Sequence, residues 1–178
     1  MEVKTGYLYH IKDEFFTLVN DKSLMQNHEY GKKRPPYFSI KDNDILWFIP
    51  LSSKLEKYKQ IVDKKIKKYG SCNTILIRKI MGVEHAILLQ NAFPTLEKYI
   101  DHIHTKDGIP VKVVDNLKDE ILFNFINLLK LKSKGINLFF TDIDKIKEEL
   151  EKEMIILNWW FTGITVKTWL FNELIYNN

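Results

Sequence analysis

The sequence predicts an α+β fold built on a small antiparallel sheet. Two observations carry this expectation. Short β-branched and aromatic runs come in pairs joined by polar or glycine turns, and segments with apolar residues every third or fourth position fall before, between and after them. The 178 residues are 45% hydrophobic and 28% charged, which supplies a core while excluding an integral membrane protein and a disordered chain.

Residues 7–11 read as a first strand and residues 12–20 as a short helix with Phe15, Phe16, Leu18 and Val19 on its apolar face. Residues 21–36 form a long polar loop, a length that is often functional. Residues 37–40 and 45–49 flank the turn cluster Lys41-Asp42-Asn43-Asp44 and read as a hairpin. A helix follows, with Ser53-Lys54-Leu55-Glu56 matching a capping box, Leu55, Tyr58, Val62, Ile66 and Tyr69 as its apolar stripe, and Gly70 as its stop. Lys57, Lys64, Lys65, Lys67 and Lys68 occupy the other faces, so this helix is basic and amphipathic.

Residues 74–81 and 84–90 form a second hairpin around Gly82. Residues 95–105, behind Pro94, carry Leu96, Tyr99, Ile100 and Ile103 at helical spacing, and residues 109–114 read as a strand. The clearest helix spans 117–134, with Ile121, Leu122, Phe125, Leu128 and Leu129 inward and a lysine-rich end before Gly135. Thr141, with Asp142 and Asp144, starts a last helix that reaches about residue 152. No repeat or flexible linker divides the chain, so residues 1–153 read as one domain followed by a tryptophan-rich tail, 154–178.

The net charge of +4 conceals an asymmetry. Residues 1–80 hold 16 Lys/Arg against 9 Asp/Glu, residues 81–178 hold 11 against 14, and residues 32–68 alone hold 11 against 4. Such clustering suits an anionic polymer. The single cysteine, Cys72, excludes an internal disulfide and thiolate metal clusters, which fits a reducing, cytoplasmic location. No secretory signal or membrane span is expected.

Two segments carry chemistry. At Ile49-Pro50-Leu51-Ser52-Ser53-Lys54 a strand ends and a helix begins, and free backbone N–H groups, two hydroxyls and Lys54 would cradle a phosphate; the plainer reading is a helix cap, and the two are compatible. At residues 30–38, Lys32, Lys33 and Arg34 are interleaved with Tyr30, Tyr37 and Phe38, the mixture of cations and ring faces that single-stranded RNA requires. The plainer reading there is a solvated basic loop. Lys57 on the helix would extend the same surface. His102 and His104 beside Asp101 invite a metal, but residues two apart on the expected helix do not share a face, so no metal or other cofactor is expected. Nucleophile-elbow and P-loop motifs are absent, which disfavours ordinary serine hydrolases and NTPases.

The motifs Gly6-Tyr7-Leu8-Tyr9-His10-Ile11-Lys12-Asp13, Lys33-Arg34-Pro35 and Trp47-Phe48-Ile49-Pro50-Leu51-Ser52-Ser53-Lys54 resemble those of the type III toxin–antitoxin endoribonucleases, the ToxN/AbiQ family, and look closest to its CptN branch. Lys68 to Ile75 and Leu89 to Pro94 extend the likeness, which covers residues 6–152. It implies a highly twisted, partly barrel-like antiparallel sheet surrounded by helices. It also implies metal-independent cleavage of single-stranded RNA, such as cellular mRNA, to 2′,3′-cyclic phosphate and 5′-hydroxyl ends. An antitoxin RNA pseudoknot, cut from a repeat precursor, would inhibit the protein and assemble with it into a closed complex, in the service of phage defence or locus maintenance.

By the same resemblance the catalytic lysine maps to Lys33, with its neighbour Arg34 as the alternative, the hydroxyl pair to Ser52 and Ser53, and an upstream aromatic to Tyr30. Ser52 and Ser53 would hold the scissile phosphate, Lys33 or Arg34 would stabilise the phosphorane, and Lys33 or Tyr30 would move protons. Lys32, Arg34, Tyr37, Lys54 and Lys57 would bind RNA. A non-catalytic RNA-binding module is the alternative function, and a generic interaction domain with a compositional lysine bias is a third.

Overall fold

The computed structural model describes residues 2–24, 28–29, 32–33, 36–42 and 45–162, as backbone alone for 28–29, 32–33 and 156–162. The strands are β1 (Leu8–Ile11), β2 (His28–Glu29), β3 (Lys32–Lys33), β4 (Tyr37–Asp42), β5 (Ile45–Ser52), β6 (Leu76–Ile80), β7 (Val83–Ile87), β8 (Phe93–Thr95), β9 (Ile100–Ile103), β10 (Thr105–Lys106) and β11 (Ile109–Pro110). The helices are α1 (Asp13–Val19), α2 (Leu55–Tyr69), α3 (Asp115–Ser133) and α4 (Ile143–Thr162). Seven strands make one antiparallel sheet in the order β6-β7-β5-β4-β1-β9, with β8 also paired to β5. The expected α+β class is therefore correct. The described sheet ends at β6 and β9, so it is open and not closed into a barrel.

Strand β5 organises the molecule. β4 runs along one edge of it from Asp42↔Ile45 to Tyr37↔Pro50, while the other edge is shared by β8, opposite Leu46 to Phe48, and β7, opposite Leu51 and Ser52. Proline has no N–H to give a ladder and is normally excluded from central strands. Pro50 is tolerated because it stands where β5 passes from β8 to β7, and its carbonyl still accepts the N–H of Leu88. Both faces of β5 are covered, which is why its sequence is a nearly unbroken apolar run rather than an alternating one. Trp47, Ile49 and Leu51 point into a cluster closed by Leu117, Ile121, Phe125 and Leu128 of α3. Leu46 and Phe48 point into a second cluster with Phe15 and Phe16 of α1 and Ile146 and Leu150 of α4. Burying each such side chain contributes roughly 1.5–3 kcal/mol.

The β6–β7 hairpin turns through Met81 and Gly82, both with positive φ, the pair of conformations that a two-residue hairpin loop requires. Against it packs α2, whose inward face is Tyr58, Ile61 and Val62. This corrects the expected stripe: Ile66 and Tyr69 are exposed, and Lys65 is turned in to donate to Thr74 Oγ1 and Gln90 Oε1, each at 2.7 Å. Gly70, at φ 80°, ends the helix and donates to the carbonyl of Ile66.

Residues 95–105 are not a helix. Phe93–Thr95 pairs with β5, Glu97–Tyr99 is a single 3-10 turn, and Ile100–Ile103 pairs with β1 as Tyr9↔Ile103, His10↔His102 and Ile11↔Ile100. The apolar spacing fits either conformation over so short a run, and the open edge of β1 selects the strand. The strand expected at 109–114 shrinks to Ile109–Pro110, with a lone bridge between Tyr7 and Lys112. Part of the 21–36 loop is a short ladder, His28↔Lys33 and Glu29↔Lys32.

The start of α4 also differs from expectation. Thr141 Oγ1 donates to the carbonyl of Ala92 at 2.7 Å and is buried, whereas Asp142 Oδ1 accepts the N–H of Lys145 and so performs the capping. The helix continues beyond residue 152 to Thr162, with Met154 packed on the second cluster.

Candidate nucleic-acid interface

The register Tyr37↔Pro50 brings the chain entering β4 alongside the end of β5, where Leu51, Ser52, Ser53 and Lys54 lead into α2. The start of β4 and the hydroxyl junction are thus neighbours through one strand pairing. Within the segment, Lys32 and Lys33 form β3, Lys33 directly across from His28. Tyr30 and Arg34 lie outside the described residues.

Ser52 and Ser53 are not equivalent. Ser52 is the last residue of β5, pairs with Ala86 and is 5% exposed; its Oγ accepts the N–H of Lys54 at 3.2 Å. Ser53 and Lys54 are exposed. The expected capping box is not formed: Lys54 occupies the cap position of α2 and makes no side-chain cap, and the Ser53 carbonyl accepts the N–H of Leu55. Ser52 therefore holds the turn, and Ser53 and Lys54 are the groups presented to solvent beside the positive end of the helix dipole.

Lys57, Lys64, Lys67 and Lys68 of α2 are exposed. Lys57 Nζ stands 5.5 Å from the centre of the Tyr58 ring and Lys68 Nζ 4.9 Å from that of Tyr69. Lys59 is neutralised locally by Glu84 at 3.1 Å. Of the helix's cations, then, four remain for an external anion.

Tyr37 does not offer a surface for bases. It is 1% exposed, its ring packed edge-on against Phe48 and Phe93 and tilted on Phe16, because β4 turns this residue into the second core cluster.

The sequence reading missed a histidine cluster. His10 Nε2 and His104 Nδ1 are joined by a 3.0 Å hydrogen bond, the His10 ring stacks on His102 with centroids 4.5 Å apart, and His102 Nδ1 is 2.8 Å from Asp101 Oδ2. Burial first, then the neighbouring His102 and His85, hold His104 below the ordinary imidazole range. On the expected helix His102 and His104 would face apart; in the extended chain residues two apart share a face. The alternation of His102 and His104, read as a strand, was the available signal. Among the described residues no group of three or more His, Cys, Asp or Glu is arranged to hold a metal ion.

These elements define an open α+β sheet protein with a strand–helix junction that offers a hydroxyl and a lysine next to a lysine-rich helix. No family model matches the chain, and no curated protein is similar to it in sequence. Among solved structures, it is similar to one from a bacterial type III toxin–antitoxin system in which a non-coding RNA pseudoknot selectively inhibits the toxin: TM-score 0.58 at 16% identity, over 85% of this chain and 99% of that one. A second is AbiQ, a lactococcal anti-phage endoribonuclease of a type III system, at 13% identity and TM-score 0.43, over 83% of this chain and 79% of AbiQ. The first likeness establishes that the chain shares that fold over 85% of its length. No described helix is long and apolar enough to cross a membrane.

Proposed function

We propose that the chain is the toxin of a type III toxin–antitoxin system, a cytoplasmic, metal-independent endoribonuclease of the ToxN/AbiQ kind and of its CptN branch. The single observation that carries the reading is the likeness to a type III toxin–antitoxin structure that covers 99% of that chain. The exposed Ser53 and Lys54 at the end of β5, with the lysines of α2 beside them, support it. The functional unit on this reading spans residues 1–153, and α4 carries on into the tail.

In the proposed reaction a ribose 2′-oxygen attacks the adjacent phosphorus and the 5′-oxygen leaves, giving 2′,3′-cyclic phosphate and 5′-hydroxyl ends. Ser53, Lys54 and the backbone at the start of α2 hold the phosphate, and Ser52 keeps the junction in shape. Lys33, or Arg34, stabilises the charge that develops on the phosphorane. Lys32 and Lys57 extend the grip along single-stranded RNA, which includes cellular transcripts and the repeat-derived antitoxin RNA that the protein processes, is inhibited by and assembles with. The alternative is a non-catalytic RNA-binding module, which the same basic surface would serve.

The test is incubation of a single-stranded RNA in EDTA with wild type, Ser53→Ala and Lys33→Ala. Cleavage by wild type with cyclic-phosphate ends, and loss in both variants, is the expected result. Retained cleavage in both variants overturns the site, loss in EDTA overturns metal independence, and salt-sensitive binding without scission selects the binding module.

A further inference from the structure

β7 carries a histidine next to the strand–helix junction. Ser52 pairs with Ala86, so Ser53 and His85 are the following residues on the two chains, and neighbouring strands run roughly 5 Å apart. Contacts on both sides fix the alternation of β7. Glu84 pairs with Lys59 of α2 and Ala86 belongs to the cluster under α2, whereas Ile87 belongs to the cluster under α3. His85 therefore lies on the α3 side, directly across from Arg78, whose guanidinium donates to Glu120 of α3 at 2.9 Å. Ser52 shares the α2 side with its partner Ala86, so the same alternation puts Ser53 on the side of His85.

One hydrogen bond sets what the His85 ring can do. Its Nδ1 is 2.9 Å from the carbonyl oxygen of Val83, and because a carbonyl oxygen only accepts, the proton sits on Nδ1. In the neutral ring Nε2 then carries the lone pair, which is the form a general base needs. The backbone thus anchors one side of a half-buried ring and turns the other into a proton acceptor. No carbonyl fixes the His10–His104 bond in this way, since either ring can be its donor.

We propose that His85 is the general base that takes the 2′-hydroxyl proton in the RNA-cleaving site, a role that rests on the ribonuclease reading above. Serine and lysine ordinarily titrate far from neutrality and do this poorly, whereas imidazole is poised for it. With the scissile phosphate held at the junction, the ribose that precedes it lies along β7. His85 Nε2 takes the 2′-hydroxyl proton as the 2′-oxygen–phosphorus bond forms. The phosphorus–5′-oxygen bond breaks, and the 5′-oxygen takes a proton from water. The imidazolium returns its proton to water, so the ring ends neutral and no proton is gained or lost.

The charged and titratable groups that face His85 are Arg78 from β6, offset by Glu120 of α3, and His104 just after β9. Glu84 and Lys59 pair on the opposite side of the strand. Burial first, then the charges of His102 and His85, hold His104 below the ordinary imidazole range, so near neutrality it places no charge beside His85.

Single-turnover cleavage of a single-stranded RNA between pH 5 and 9 tests the base in wild type, His85→Asn and His85→Ala. Asparagine keeps an amide that can donate to the Val83 carbonyl but has no counterpart of Nε2. In parallel, binding of the 2′-deoxy analogue, which cannot react, is measured, and folding is checked by thermal unfolding. The wild-type rate is expected to rise as the pH passes through the imidazole range. Both variants are expected to lose about 100-fold or more in rate while binding the analogue within about twofold, and added imidazole is expected to restore part of the His85→Ala rate. Variants within about threefold of wild type overturn the proposal, as does a loss of rate that parallels a loss of analogue binding. If neither variant folds, the wild-type profile decides, since a rate independent of pH through the imidazole range overturns the proposal. Wild type that binds RNA without cutting it overturns the ribonuclease reading instead, and the role of His85 falls with it.

Discussion

The hydroxyl of Ser52 accepts the backbone N–H of Lys54 at 3.2 Å, beneath a surface on which Ser53 is exposed. Two adjacent serines thus divide one task. Ser52→Ala is expected to destabilise the fold by about 1 kcal/mol, the usual worth of such a bond, and Ser53→Ala by less than about 0.5 kcal/mol. Urea denaturation of both checks this. In cleavage assays the order is expected to reverse, with Ser53→Ala the more damaging of the two.

Tyr37 separates the core reading from the RNA-contact reading. Its ring fills the space between Phe16, Phe48 and Phe93. Tyr37→Ala is expected to cost about 3–5 kcal/mol, as for other large core aromatics. A stable Tyr37→Ala protein with selectively weakened RNA binding would contradict this.

Lys65 differs from its neighbour Lys64 in what depends on it. Thr74 and Gln90 are buried, and the Lys65 ammonium donates to both side chains. Lys65→Met leaves those oxygens without this donor and is expected to cost about 1–3 kcal/mol. Lys64→Met, at an exposed position, is expected to leave the unfolding midpoint in place.

RNA affinity should fall steeply with salt. For single strands each neutralised phosphate contributes about −0.7 to the logarithmic slope. Lys57→Ala is expected to reduce the slope by about that amount, and Lys59→Ala, whose cation is already paired with Glu84, to change it much less. Fluorescence anisotropy from low to moderate salt measures this.

Acid should release α4 from the sheet. Burial pushes the Glu153 carboxyl up, but hydrogen bonds from Lys98 and Tyr99 outweigh it and leave its pKa lowered. A carboxyl lowered on folding adds stability above its unfolded pKa that is lost as pH falls through the folded value. Wild type is therefore expected to exceed Glu153→Gln in thermal stability near neutrality, and the gap to close as pH falls below about 4. An unchanged gap between pH 7 and pH 3 would remove Glu153 as the cause.

Local signals made much of the fold legible. The turn at Met81-Gly82 follows from backbone rules, the strand β5 from an apolar run too short for a buried helix, and α3 from 3.6-residue periodicity. Residues 95–105 differ from the expected helix because Leu96, Tyr99, Ile100 and Ile103 satisfy helical spacing, and nothing local announces the open edge of β1. The inward face of α2 slipped by one position for a related reason: Lys65 is hydrophilic in sequence but has two buried polar partners brought from β6 and β7's flanks.

By itself the sequence determined the α+β class, the concentration of positive charge in residues 32–68 and the Ser-Ser-Lys junction, because composition and short-range patterning are properties of neighbouring residues. Only the tertiary structure decided that Ser52 turns inward while Ser53 faces solvent, that Tyr37 belongs to the core, and that His10 meets His104 across 94 positions of chain. Those outcomes depend on register and pleat, which pairing between distant strands sets and which no local pattern encodes.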